Sequence, residues 1–351
     1  MKNKSTLYKA LAVSACVAAG ALLTGAGSPQ PGEAGGPKRP VKALIISMFE
    51  PEAKPWLDKL NLTQEYAVPG LSPDFPTVRC NKDDVCQMTT GMGHANAAAS
   101  MAALVFSGRF DLSKSYFLIA GIAGIDPKQG TLGTATWSRY LVDFSIAWEL
   151  DSRSIPSSWT TGYFGINTKG PGIKPPLDYK TEVFQLNEAL LQKALALSKN
   201  AQLDDSDVAK AYRVKYGFAP ANQPPTVVQC DTLAGDTWWH GELLGKQAEE
   251  WTKLLTDGKG TYCTTQQEDN ATYEALKRGA NEGLLDINRV AVLRTAANFD
   301  RPHKGQSAYE SLALTDSGGF VPSTNNLYRA GWPLINDIVT NWEQWKSGVP
   351  R

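Results

Sequence analysis

Histidine, cysteine and excess charge are all scarce in this sequence, and each shortage excludes a class of protein. The 351 residues include 3 histidines and 5 cysteines, at spacings that match no zinc-binding pattern. The 35 basic residues balance the 35 acidic ones, so no basic surface for nucleic acid is indicated. No segment repeats with a period of about 20–50 residues, which argues against a solenoid. The composition, 42% hydrophobic and 20% charged, is that of a globular protein with a sizeable core.

Long apolar runs are also missing, except at the N-terminus. Lys2, Lys4 and Lys9 precede the apolar run ALAVSACVAAGALL, and TGAGS after it supplies small residues for cleavage. This arrangement is typical of a signal peptide over residues 1–27. VSAC around Cys16 is similar to a lipobox, but apolar sequence continues beyond it, which favours ordinary cleavage over lipid attachment. We therefore expect export to the periplasm or the extracellular space and no membrane span in the mature chain.

Four cysteines remain after this cleavage, and an even number in an exported chain indicates disulfides. Cys80 and Cys86 flank the turn NKDDV, and we expect them to join a hairpin. Cys230 and Cys263 would then pair across a longer segment.

The domain boundaries follow from changes in composition. Residues 28–40 are rich in Pro and Gly and lack periodicity, which predicts a flexible linker. Residues 41–351 read as a single domain. The stretch from about 150 to 225 is rich in Pro, Ser, Tyr and Gly, and we interpret it as an elaboration of that domain.

Buried-strand patterns alternate with helical patterns along this domain. VKALIISMF, VCQMTT, SYFLIAGIAGI and RVAVLRTAANF predict strands. PTVVQCDTLAGDTWW, residues 225–239, also predicts a strand. EVFQLNEALLQKALALSK, residues 182–199, predicts an amphipathic helix, and NATYEALKRGANEGLL a second one. The alternation predicts an α/β fold with a largely parallel sheet and helices on both faces.

Polar or glycine-rich clusters follow the predicted strands, where ligands of such sheets bind. Because the carboxyl ends of parallel strands meet at one edge, we expect these clusters to converge. They are Phe49–Glu52, Gly91–His94, Gly121–Gly124, Gly235–His240 and Asn298–Asp300.

These clusters resemble known motifs. TTGMGHANAAASMAAL is similar to the turn and helix of the nucleoside phosphorylase/nucleosidase superfamily, and YFLIAGIAGIDPKQGTLGTAT to its strand ending in Gly-x-x-Gly. GDTWWHG, CTTQQEDNA and RTAANFDRP together resemble the purine nucleoside permease family, a branch of that fold. The resemblance implies a nucleoside phosphorylase-like, three-layer α/β/α domain with a mixed sheet, and a purine nucleoside as ligand.

The resemblance also implies roles for two acidic positions. Glu52 matches the glutamate that activates the attacking water in the nucleosidases, with Glu50 as a rival two residues away. A carboxylate suits that role because bond cleavage builds an oxocarbenium-like centre. Asp269 matches the acidic residue that holds the ribose hydroxyls, although Glu268 leaves the register open by one residue. One carboxylate can accept hydrogen bonds from both hydroxyls of a diol.

Asn298 matches a position where many relatives carry an aspartate that protonates the leaving purine. An amide cannot supply a proton, but it can donate to one ring atom and accept from another. Asp300 could take over the acid role, or water could relay the proton. An amide at this position resembles the arrangement with which relatives bind 6-oxopurines, which favours inosine or guanosine over adenosine as the ligand.

The remaining candidates lie in the same motifs, with Trp238 or Trp239 as a stacking platform for the purine. The full set of candidate substrate-binding residues is Phe49, Gly93, His94, Gly121, Trp238, Trp239, His240, Glu268, Asp269 and Asn270.

The missing arginines bear on the choice of nucleophile. Phosphate-using relatives carry one arginine in the first turn and another in the strand before Gly-x-x-Gly. At the first place this sequence has FEPE, without arginine, and at the second it has Ile119. Water is therefore favoured over phosphate, unless Arg79 or Lys54 turns inward. We expect a purine nucleosidase without cofactor, with a phosphorylase or a nucleoside-capture component for transport as alternatives. The resemblance to the superfamily implies a homo-oligomer, and we expect a dimer.

Overall fold

Two long strands, Tyr116–Ile125 and Val290–Phe299, run parallel to each other through the middle of the sheet. They belong to a computed structural model that describes residues 37–314 and 316–350. The predicted signal peptide, Cys16 and most of the predicted linker lie outside the described residues. Arg39 and Pro40, at the end of that linker, already pair with Phe110 and Asp111 of the domain.

The regular elements of the described residues follow in chain order. The strands are β1 (Arg39–Pro40), β2 (Ala43–Ser47), β3 (Gln64–Ala67), β4 (Thr77–Cys80), β5 (Val85–Thr89), β6 (Phe110–Asp111), β7 (Tyr116–Ile125), β8 (Ala135–Trp137), β9 (Tyr140–Asp143), β10 (Trp148–Glu149), β11 (Tyr163–Phe164), β12 (Val183–Gln185), β13 (Val227–Gln229), β14 (Asp231–Ala234), β15 (Tyr262–Gln266) and β16 (Val290–Phe299). The helices are α1 (Glu50–Leu60), α2 (His94–Phe106), α3 (Glu188–Ser198), α4 (Asp207–Arg213), α5 (Glu242–Leu255), α6 (Asp269–Asn281), α7 (Ala308–Leu312), α8 (Phe320–Thr340) and α9 (Trp342–Trp345).

The main sheet is mixed and has the order β12-β9-β14-β15-β7-β2-β5-β4-β3, with β16 also paired to β7. Strand β8 pairs with β16, and β13 pairs with β8. The pairs among β5, β2, β7 and β16 are parallel, whereas β3 and β4 form an antiparallel hairpin at one edge. The predicted mixed α/β sheet is therefore confirmed. None of the helices in the described ranges is long and apolar enough to cross a membrane.

Both faces of the central strands are buried, which explains their unbroken apolar sequences. Ala43 and Ile45 of β2 face a core formed with α1, α3 and α8, and Leu44 and Ile46 face a core formed with α2 and α6. The same alternation runs through β7 and β16, as the two-residue period of a strand requires. Helices on both faces give the three predicted layers.

Two local predictions were incomplete. The helix predicted over 182–199 begins only at Glu188, because Asn187 caps it by accepting from the Leu190 amide at 3.0 Å. The residues before it form β12, which pairs with β9. The strand predicted over 225–239 is divided into β13 and β14, which pair with different neighbours. Helix α5 and strand β15 were not predicted.

Both predicted disulfides are confirmed. Cys80 and Cys86 join β4 to β5 across the hairpin, and Cys230 and Cys263 join the start of β14 to β15. All four of these cysteines are buried. Two disulfides fit the predicted export of the chain, since they persist in oxidising compartments.

One edge of β7 changes partner in the middle of the strand. It pairs with β2 as far as Ile119 and with β15 from Gly124 onward. Between these partners, Ala120–Ala123 pairs on this edge with no other strand of the described residues. Such a change of neighbour opens a crevice at the strand ends, where α/β sheets bind ligands.

Candidate functional site

A cavity of about 400 Å³ lies at this change of partner. All five predicted strand-end clusters reach it, together with the segment after β15 in which the resemblance placed Glu268 and Asp269. The candidate residues that line it are Phe49, Glu52, Trp238, Trp239, His240, Glu268, Asn298 and Asp300. The candidates outside its wall are Gly93, His94, Gly121, Asp269 and Asn270.

Glu52 lies in the first turn of α1, where Pro51 favours the start of a helix. Its side chain is 2% exposed and is held by two backbone donors. Oε2 accepts from the Met48 amide at 2.7 Å, and Oε1 accepts from the Ile122 amide at 2.7 Å. Burial raises the pKa of Glu52 to about 7, against the opposing charge of Arg294. The rival Glu50 is exposed and does not line the cavity.

Arg294 of β16 also lines the cavity, and sequence reasoning missed it. Its Nη1 donates to the Ile122 carbonyl at 2.9 Å, on the β7 edge that has no strand partner. A Cβ at Gly121 would collide with the guanidinium, so this glycine makes room for it. The signal was present, because a lone arginine interrupts the apolar run of VAVLRTAANF.

Two carboxylates neutralise Arg294 within the same wall. Asp269 accepts from Nη2 at 2.5 Å and from Nε at 3.2 Å, and Glu268 accepts from Nη2 at 3.1 Å. Every nitrogen of Arg294 therefore already donates to the protein. Two acidic side chains against one guanidinium leave this part of the cavity with a negative balance.

The register of the acidic pair differs from the prediction. Glu268 faces the cavity, whereas Asp269 is fully buried against Arg294 and lies behind the wall. Asn270 also points away, because its Nδ2 donates to the Thr181 carbonyl at 2.8 Å. The reason lies in β15, which ends at Gln266 and places the next residues at the start of α6. Of the two acidic residues, Glu268 is therefore the one that lines the cavity.

Asn298 lies at an irregularity in β16, between Ala296 and Asn298, that turns its amide beside Gly124. Its Nδ2 donates to the Phe299 carbonyl at 2.9 Å, which leaves its second N–H and its oxygen for a ligand.

Asp300 is less suited to the acid role predicted for it. Both of its oxygens accept from Arg301, at 2.7 and 2.9 Å, and one also accepts from the Tyr262 hydroxyl at 2.7 Å. Burial raises the pKa of Asp300, and the contacts with Arg301 and the Tyr262 hydroxyl oppose that shift. Because both oxygens are already held by Arg301, Asp300 is poorly placed to pass a proton to a ligand.

His240 lies in the same part of the wall as a neutral imidazole. Burial, with the nearby charge of Arg301, lowers the pKa of His240 to about 4. Neither ring nitrogen has a hydrogen-bond partner within the described residues.

The two tryptophans of the cavity have different surroundings. Trp238 is 66% exposed at the mouth, where its ring is available to a planar ligand. Trp239 is buried and packs against Phe144 and Tyr262, with ring centroids 5.7 and 6.1 Å away. Trp238 is therefore the tryptophan with an exposed ring, and Trp239 is largely a core residue.

The start of α2 binds side chains of this chain. The Gly93 amide donates to Glu268 Oε1 at 3.0 Å, and the His94 amide donates to Asp236 Oδ1 at 2.8 Å. The backbone donors at this helix start therefore bind carboxylates of the chain itself.

The two basic residues that could have bound phosphate lie elsewhere. Lys54 pairs with Asp58, and Arg79 pairs with Glu65, both on exposed surface. Neither lines the cavity.

Comparisons of sequence with known proteins agree with the motifs. The family model for purine nucleoside permease matches residues 40–350. A purine nucleoside permease of Candida albicans is 40% identical over 313 residues, which cover 88% of this chain and 77% of that protein. A probable purine nucleoside permease of Schizosaccharomyces pombe is 40% identical over 318 residues, covering 87% and 90%.

Solved structures with the same fold are more distant in sequence. A 5′-methylthioadenosine/S-adenosylhomocysteine nucleosidase from Colwellia psychrerythraea, in complex with adenine, superposes with a TM-score of 0.53 at 16% identity, covering 84% of this chain and 95% of that one. Futalosine hydrolase of Helicobacter pylori gives 0.51 at 11% identity, covering 85% and 98%. These similarities confirm the predicted nucleoside phosphorylase-like fold.

Proposed function

The chain belongs to the purine nucleoside permease family, as its motifs predicted, and from that premise we propose that it is a purine nucleoside N-ribohydrolase. The nucleoside binds in the cavity at the partner change of β7, with its sugar toward Glu268 and its base toward Trp238 and Asn298. Relatives with this family name support a purine nucleoside as ligand. Neighbours of the same fold that are named nucleosidases support cleavage of the N-ribosidic bond.

The observation that carries the proposal is the state of Glu52. A buried carboxyl whose pKa is about 7 is poised to take a proton near neutral pH, as a general base must. Two backbone amides hold both of its oxygens at the inner end of the cavity. A protein that only captures nucleosides needs no such group, because binding requires only contacts with the base and the sugar.

In the proposed reaction, the bond between C1′ and the purine nitrogen breaks as a water molecule attacks C1′. Glu52 takes a proton from that water, and ribose is released. The purine leaves with the bonding electrons, accepts a hydrogen bond from Asn298 and takes a proton from a second water molecule. The hydroxide left by that water takes the proton from Glu52, which restores the carboxylate. The negative balance around Glu268 and Asp269 stabilises the positive charge that develops on the sugar.

Water is favoured over phosphate for electrostatic reasons. A phosphate dianion needs unpaired cationic donors, and bidentate arginine contacts are the strongest of these. The guanidinium of Arg294, near the sugar end, is matched by two carboxylates. The backbone amides of Gly93 and His94 also donate to carboxylates. A dianion would therefore be placed next to acidic groups.

Nucleoside capture for uptake is the second candidate, and the name of the relatives favours it. In that case the same cavity binds a nucleoside without breaking it and presents it to a separate transporter. Release of free base separates the two candidates directly.

The test is incubation of purified protein with inosine, guanosine and adenosine, with and without phosphate, followed by chromatography of the free base. We expect base release without phosphate, ribose as the sugar product and no acceleration by phosphate. Release only with phosphate would establish a phosphorylase and overturn the argument from charge. Tight binding without release would support capture, and Glu52→Gln, which keeps the cavity's shape, would then bind as the unmodified protein does.

A further inference from the structure

Asp236 joins three segments of the candidate site, although its side chain does not line the cavity. Its Oδ1 accepts from the His94 amide at 2.8 Å and lies 3.1 Å from His94 Nδ1, which donates in the tautomer that a carboxylate requires. Its backbone carbonyl accepts from Gln267 Nε2 at 2.8 Å. Two residues further along the chain lies Trp238.

A short chain of contacts connects Asp236 to Glu268. The amides of Gly93 and His94 are consecutive donors at the start of α2, and they bind Glu268 and Asp236 respectively. Gly93 has a φ of +87°, and a Cβ there would lie 3.3 Å from Asp236 Oδ1, so the turn is built closely around this carboxylate. The start of α2 is therefore fixed by Asp236 through the His94 amide, and it orients Glu268 through the Gly93 amide.

We propose that Asp236 is a positioning residue for sugar recognition, which acts through the amides of Gly93 and His94 on Glu268. The inference rests on the proposed function, since it assigns Glu268 to the ribose diol. Asp236 itself is 59% exposed in its side chain and does not line the cavity. Its loss releases the start of α2, and Glu268 then loses the donor that orients its Oε1.

The experiment measures ligand binding by calorimetry in a Glu52→Gln background, so that no turnover occurs. Inosine and free hypoxanthine are compared, because only inosine carries the sugar. Asp236→Ala is expected to weaken inosine about tenfold and hypoxanthine less than about twofold. Asp236→Asn keeps an oxygen for the His94 amide and is expected to stay within about threefold of the parent.

A double-mutant cycle tests the route through Glu268. In a Glu268→Ala background, Asp236→Ala is expected to cause no further loss of inosine affinity. Asp151→Ala is the matched control, because Asp151 also accepts from a backbone amide, that of Arg153, and lies away from the cavity.

Two results would overturn the inference alone: an equal loss for inosine and hypoxanthine, or a loss that persists in full without Glu268. Either would mean that Asp236 supports the base wall or the fold in general. A parent protein that binds neither inosine nor hypoxanthine would overturn the proposed function together with this inference.

Discussion

Glu52 and Arg294 bind the two backbone groups of one residue, Ile122, on the edge of β7 that has no strand partner among the described residues. Glu52 accepts from its amide at 2.7 Å, and Arg294 donates to its carbonyl at 2.9 Å. These groups would bond to a neighbouring strand if β2 continued beyond Ser47 or β15 continued beyond Gln266. Because neither does, two charged side chains complete the sheet at this point and are fixed there by the backbone.

The first prediction concerns the pH dependence of base release. Glu52 takes a proton only when ionised, and its pKa is about 7, so kcat is expected to rise as pH increases through about 7. Glu52→Gln is expected to lower kcat by about 10²–10⁴. The measurement is inosine cleavage between about pH 5 and 9. Glu50→Gln, at the exposed neighbour, is the control and keeps the rising profile; a flat profile in the unmodified protein would exclude Glu52 as the base.

The second prediction concerns the stability of the Arg294 cluster. Arg294→Met leaves Asp269 and Glu268 buried without a cation, which is expected to cost about 3–5 kcal/mol of unfolding free energy. Adding Asp269→Leu removes one of the lone charges, so the double variant is expected to be less destabilised than Arg294→Met alone. Urea denaturation at neutral pH measures both, and equal stability of Arg294→Met and the unmodified protein would contradict the prediction.

The third prediction separates the two tryptophans. Trp238→Ala is expected to weaken hypoxanthine binding by about 1–3 kcal/mol, since a stacking surface is lost, and to change stability by less than about 0.5 kcal/mol. Trp239→Ala is expected to cost about 3–5 kcal/mol of stability, because it empties a buried site beside Phe144 and Tyr262. Calorimetric titration and denaturation of both variants test this, and the reverse pattern would reassign the platform to Trp239.

The fourth prediction ranks the two disulfides. Cys230 and Cys263 close a loop with a sequence separation of 33, and Cys80 and Cys86 one of 6. Loop-closure entropy then predicts losses of about 4 and about 2 kcal/mol for the paired Cys→Ser variants. Denaturation of each double variant, compared with the unmodified protein in its oxidised form, measures the order. A larger loss of stability for the Cys80 and Cys86 variant would show that loop-closure entropy does not decide the order of the two disulfides.

The sequence was most informative where a pattern is local. Continuous apolar runs predicted β2, β5, β7 and β16, because strands that are buried on both faces have no solvent-facing side that requires polar residues. The glycine-rich and polar clusters at their ends predicted five segments of the cavity wall. Prediction failed at Val183–Gln185, where pairing with β9 decided the conformation, and at Tyr262–Gln266, whose threonines and glutamine carry no clear apolar period.

By itself, the sequence determined the family, the class of fold, both disulfides and the strand ends at which a site should lie. Only the tertiary structure decided that Glu268 rather than Asp269 faces the cavity, that Arg294 stands between them, and that Asp300 is bound to Arg301. The physical reason is that these roles depend on which groups are left without partners once strands from distant parts of the chain have paired. A motif specifies the residues, whereas burial and opposite charge decide what each carboxylate is free to do.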